Sequence, residues 1–89
     1  MTWHIDFTEN SEKNIEHLDK QVAKRILRML FEKLASLENP RLIGAALQGQ
    51  NLKKFWKYRV GDYRIIAQIL DSKKTIEIIS VGHRRDIYR

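Results

Sequence analysis

The chain has 89 residues, enough for one domain with a thin core, so a single domain spanning 1–89 is expected. It has no cysteine, which excludes disulfides and thiolate metal sites, and no run near the roughly 20 apolar residues of a membrane span. Its net charge of +6 is unevenly placed. Up to Leu52, seven Lys/Arg balance seven Asp/Glu; from Lys53 onward ten Lys/Arg face four Asp/Glu, so a polyanion is the expected class of partner.

The opening MTWHIDF lacks signal-peptide architecture, and a cytoplasmic protein without a membrane partner is expected. Trp3, Ile5 and Phe7 alternate with Thr2, His4 and Asp6, which predicts a short amphipathic strand. Thr8 then caps a short helix with Glu9 and Glu12 in its first turn and Ile15 and Leu18 as apolar contacts. Asp19 caps a second, longer helix, in which Val22, Ile26, Leu30, Leu34 and Leu37 recur at helical spacing, Ala23, Leu27 and Phe31 widen the stripe, and Lys24, Arg25, Arg28 and Lys33 decorate the remaining surface. Asn39-Pro40 ends it, because a residue before proline disfavours helical geometry. Residues 41–53 form a connection with one helical turn around Ile43 to Leu47. Three strands follow, about Phe55 to Val60, Tyr63 to Leu70 and Thr75 to Val81. They are joined by a two-residue Gly61-Asp62 turn and a polar turn at 71–74, and the last is ended by Gly82. The order β-α-α-β-β-β predicts an α+β fold with two N-terminal helices packed on one face of a small, mostly antiparallel, twisted sheet.

The hairpin breaks a local rule. A two-residue turn pairs Val60 with Tyr63 and Arg59 with Arg64, and alternation puts Lys57 on the same face as both arginines. Trp56, Tyr58, Val60 and Tyr63 share the other face, the natural one to bury. Like charges directly opposite across a ladder are unfavourable, so the pair marks a candidate functional site. The alternative is structural, with each arginine paired to an acid such as Asp62 or Glu77. Past Gly82, the tail His83, Arg84, Arg85, Tyr88 and Arg89 is expected to fold back and complete the site.

Such a set suits cleavage of an RNA phosphodiester by its own 2′-hydroxyl. The hydroxyl must lose a proton, the transition-state charge must be stabilised and the leaving oxygen must gain a proton. Arg64 and Arg84 suit charge stabilisation, since guanidinium binds phosphate bidentately and stays charged. Lys57 is a candidate base, because nearby cations favour the neutral amine. Tyr88 can stack on an unpaired base. His83 has the side chain best suited to proton transfer, but a lone histidine after a strand is commonly a polar surface residue. His4, His17, Trp3, Phe55 and Trp56 are read as structural. No P-loop, dinucleotide fingerprint, Ser-His-Asp set or zinc signature occurs, and neither metal nor cofactor is expected.

The segment RVGDYR, Arg59 to Arg64, and the terminal VGHRRDIYR, Val81 to Arg89, together resemble the RelE branch of the RelE/ParE toxin superfamily, and the likeness spans nearly the whole chain. The resemblance implies a type II toxin that enters the ribosomal A site and cuts mRNA there without a metal. It implies a cognate RelB-like antitoxin as partner, with operator DNA reached only through the toxin–antitoxin complex. It also matches Arg64 to the family's phosphate-stabilising arginine, Lys57 to a catalytic lysine, Arg84 to the arginine after the glycine turn and Tyr88 to the base-stacking tyrosine. The sequence departs from the pattern at Phe55, where a second lysine would fall; Lys54 or Lys53 is the candidate substitute. Lys53, Lys54, Arg59, Arg85 and Arg89 are the expected RNA- and ribosome-binding cations. The identity of the base stays open among Lys57, Lys54 and His83. Two rival readings share the fold: a ParE-like gyrase poison acting by binding alone, and an inactive relative that binds antitoxin or nucleic acid.

Overall fold

The computed structural model describes residues 3–47 and 55–87. Strand β1 (His4–Phe7) leads into helix α1 (Glu9–Glu16) and helix α2 (Lys20–Arg28). A two-residue strand β2 (Ala45–Ala46) precedes the meander β3 (Phe55–Val60), β4 (Tyr63–Leu70) and β5 (Thr75–His83), and a helical turn α3 (Arg84–Ile87) follows. The five strands form one sheet in the order β1-β5-β4-β3-β2, antiparallel except for the parallel β1–β5 pair. The expected α+β architecture is present, with one strand more than the sequence reading gave.

Both expected helix caps form. The Thr8 hydroxyl accepts the Ser11 N–H at 3.1 Å, and the Asp19 carboxylate accepts that of Gln21 at 3.0 Å, each satisfying a donor the helix cannot. One face of the sheet packs on the helices: Ile26, Leu30 and Leu34 meet Tyr58, Ile65, Ala67, Ile76 and Ile78 in a buried core.

The second helix does not continue as an α-helix to Asn39. It widens into a π turn at Met29–Lys33 and tightens into a 3₁₀ turn at Leu34–Ser36. The spacing of its core residues supplies the reason. Four residues overshoot one α-helical turn by about 40°, so the row Val22, Ile26, Leu30, Leu34 would drift off the core. A π turn takes more residues per revolution and turns the row back, and Ile26, Leu30 and Leu34 are all fully buried.

The helical turn expected at Ile43 to Leu47 is likewise replaced. A 3₁₀ turn at Pro40–Leu42 leads into β2, which adds to the edge of β3 through Ala45–Lys57 and Ala46–Trp56. Gly44 makes this seat possible. Its φ is +79°, and a Cβ there would strike the Lys57 carbonyl, the Trp56 indole nitrogen and the Tyr58 ring. The Trp56 indole donates to the Ile43 carbonyl at 2.8 Å, and the buried Tyr58 hydroxyl donates to that of Pro40 at 2.6 Å. Burial raises the Tyr58 phenol well above its ordinary pKa, so the donor keeps its proton.

Strand β5 carries an irregularity opposite Ile66 and Ala67, where the pairing steps from Ser80 to Ile78 and leaves Ile79 outside it. Helix α1 covers the groups this frees: Thr8 Oγ1 and Asn10 Nδ2 donate to the Ile79 carbonyl at 3.1 and 2.9 Å, and Asn14 Oδ1 accepts the Val81 N–H at 2.9 Å.

Candidate active site

The hairpin register is the one its turn implies: Arg59 pairs with Arg64 and Val60 with Tyr63. Lys57 pairs with Ile66, so alternation brings Lys57, Arg59 and Arg64 together on the face away from the helices. Tyr58, Val60 and Ile65 lie on the buried side. A cleft of about 400 Å³ at the β2 edge is lined by all three cations together with Met29, Lys33 and Gly44.

Neither suggested acid neutralises the arginines. Glu77 pairs with Gln68 and Asp6, toward the β1 side of the sheet. Among the described residues, Arg59, Arg64, Arg84 and Arg85 enter no ion pair, whereas Arg41 grips Asp71 with two bonds of 3.0 and 2.8 Å. The Arg64 guanidinium instead makes long contacts, 3.4 Å to the Gly61 carbonyl and 3.5 Å to that of Tyr63. Carbonyls leave its positive charge intact. Across the ladder Arg64 faces Gly82, which offers no side chain to crowd it.

The end of the chain departs from the expectation. Gly82 does not end β5; it stays in the ladder, and the strand runs on to His83, paired with Tyr63. This register puts His83 on the helix-facing side with Val81 and Tyr63, and its ring meets Tyr63 edge-on at 5.5 Å. His83 is thus not on the face of Lys57, Arg59 and Arg64. Helix α3 starts at Arg84, whose N–H donates to the Asp62 carbonyl at 2.8 Å, so the exposed Arg84 and Arg85 begin beside the same turn that Arg64 touches. Lys53, Lys54, Tyr88 and Arg89 lie outside the described residues.

One neighbour of the site escaped the sequence reading. Arg25, on α2, lays its guanidinium against Gly61, 3.2 Å from where a Cβ would sit. With Arg28, Lys33 and Arg59 it lines a shallow groove, which shares Lys33 and Arg59 with the cleft. The basic spacing Arg25-x-x-Arg28 on one helical face was the available signal.

Residues 5–88 match the family model described as ParE toxin of type II toxin–antitoxin system, parDE. The mRNA interferase toxin RelE of Escherichia coli K12 is 32% identical over 84 residues, covering 94% of this chain and 85% of that protein. The fold matches the toxin–antitoxin complex RelBE2 of Mycobacterium tuberculosis with a TM-score of 0.83, at 24% identity, over 97% of this chain and 95% of that one. It also matches a mutant of E. coli toxin RelE bound to a peptide of the antitoxin RelB, with a TM-score of 0.74 and 29% identity, covering 93% of this chain and 84% of that one. The chain belongs to the toxin family of type II toxin–antitoxin systems. Its type within that family is RelE.

Proposed function

We propose that this chain is a ribosome-dependent endoribonuclease that cuts mRNA in the A site and is held inactive by a cognate RelB-like antitoxin. The carrying observation is the like-charged pair Arg59–Arg64 on the open face, neutralised by no acid among the described residues. Two guanidinium groups held in register are costly to a fold and useful to a phosphodiester.

In this reading the substrate supplies its own nucleophile. A 2′-oxygen attacks the adjacent phosphorus, the bond to the 5′-oxygen breaks, and the products are a 2′,3′-cyclic phosphate and a 5′-hydroxyl. Lys57 takes the 2′-proton, water gives a proton to the leaving 5′-oxygen, and Arg64 and Arg84 stabilise the charge that builds on the phosphoryl oxygens. Arg59 and Arg85 hold flanking phosphates. Lys53, Lys54 and Arg89 extend that contact and Tyr88 stacks on a base, roles that rest on the motif alone. The relative named an mRNA interferase supports RNA as substrate, and the relatives solved with RelB antitoxins support the protein partner. Operator DNA would be reached only through that complex.

The test adds purified protein to ribosomes stalled on a defined mRNA, with naked mRNA as control, and maps new 5′ ends. Cuts confined to the A-site codon, and only with ribosomes, are expected. Intact mRNA in both arms would overturn the reading and favour the gyrase-binding alternative that the ParE description of the matched family keeps in view.

A further inference from the structure

We propose that His83 is a positioning residue: its imidazole Nδ1 caps the terminal helical turn and thereby sets where Arg84 and Arg85 stand. For its effect on cleavage this inference rests on the nuclease reading above; for its effect on structure it stands alone. His83 directly precedes α3, and its Nδ1 accepts the Arg85 N–H at 3.2 Å. The preceding N–H, that of Arg84, is taken by the Asp62 carbonyl at 2.8 Å. Two donors that a helix cannot satisfy for itself are therefore held by the hairpin turn and by this ring. A helix of one turn has no stability of its own, so such anchors decide its direction.

The ring is itself fixed. It occupies the last rung of the β4–β5 ladder, opposite Tyr63, and meets that ring at 5.5 Å with an interplanar angle of 82°. This placement turns it away from the face of Lys57, Arg59 and Arg64, where a proton-transfer group would be needed.

The cap depends on protonation. Nδ1 can accept only while it carries a lone pair, so the neutral ring with its proton on Nε2 makes the bond and the imidazolium does not. The polar groups around the ring are Lys13 from α1, His17 just past its end, Arg25 from α2, Asp62 from the turn and Tyr63 from β4.

Wild type, His83→Ala and His83→Asn separate this role from acid–base catalysis. Asparagine is a strong helix cap with no proton to transfer near neutrality. Amide exchange at Arg85 and single-turnover cleavage on ribosomes are measured for all three. The Asn variant should match wild type within about twofold in both, while the Ala variant loses about fivefold or more in Arg85 protection and in cleavage, the scale of one lost cap. An Asn variant that protects Arg85 yet cleaves as poorly as Ala would overturn the proposal and make the ring a proton carrier. Undiminished Arg85 protection in the Ala variant would overturn it as well. Failure of wild type to cleave would sink the nuclease reading, with Arg85 exchange still deciding the cap.

Discussion

The two faces of the β3–β4 hairpin are made by alternating residues of the same two strands and follow opposite rules. On the helix side, Tyr58, Val60, Ile65 and Ala67 pack into the core, and among the described residues no buried side-chain nitrogen or oxygen lacks a partner. On the open side, Arg59 and Arg64 stand opposite each other, and no acid among the described residues pairs with either. Period-two alternation lets one strand serve both ends at once: a buried face optimised for stability positions an open face that is not. The difference teaches that the cationic face is carried by the packing beneath it rather than by its own contacts.

The sharpest attempt to break this comparison substitutes neighbours on opposite faces. Arg64→Ala should cut A-site cleavage by about 10²- to 10³-fold, the range for losing one transition-state donor, and leave the unfolding midpoint nearly unchanged. Ile65→Ala, one residue on and fully buried, should cost about 2–5 kcal/mol of stability in denaturant titration. Equal loss of stability in the two variants would mean that the open face is part of the structural framework.

A second substitution probes how the cleft edge is held. Gly44→Ala places a methyl group against the Lys57 carbonyl at a left-handed φ and should destabilise by about 1–3 kcal/mol. Because Gly44 and Lys57 line the same cleft, cleavage should fall further than the population of folded protein does. A fall that only tracks unfolding would separate the β2 edge from the site.

A third asks whether the open face reaches around to α2. Arg25→Glu should weaken ribosome binding several-fold at low salt and reduce the slope of log affinity against log salt by about one, as expected for one phosphate contact. An unchanged slope would confine the binding surface to the sheet.

The parts of this fold that the sequence made legible are those with a local signal. A two-residue Gly61-Asp62 turn fixes register, so the Arg59–Arg64 pair is legible in the sequence itself, and Thr8 and Asp19 announce their helices. Strand β2 was not readable, because two alanines carry no periodicity; the seat at Gly44 and the Trp56 indole hold it. The placement of His83 was hidden for a related reason. Glycine is a common terminator, but Gly82 stays in the ladder, and only the paired register reveals which side the next residue takes. Arg25 reads as surface decoration in the sequence because its relation to Gly61 spans two elements distant along the chain.

The smallest expected effect sharpens the comparison from the other direction, through an arginine that does have its acid. Arg41 and Asp71 tie the turn after α2 to the turn between β4 and β5 with a bidentate pair. The Arg41 hydrogen bonds hold the Asp71 carboxyl below the usual carboxylate range. A carboxylate whose pKa is lower folded than unfolded stabilises above its ordinary value of about 3.9 and loses that contribution as pH falls through the lowered folded value. Asp71 is well exposed, with 63% of its side chain accessible, so solvent screens the pair. Asp71→Asn should therefore lower Tm only slightly at pH 7, and the gap from wild type should close below the ordinary carboxylate pKa. A large loss at neutral pH, or a gap that persists in acid, would show that pairing matters more to this fold than exposure implies. The lack of an ion pair at Arg59 and Arg64 among the described residues would then be a real cost of the open face, where a small effect at Asp71 makes that omission nearly free and leaves like-charge repulsion as the penalty.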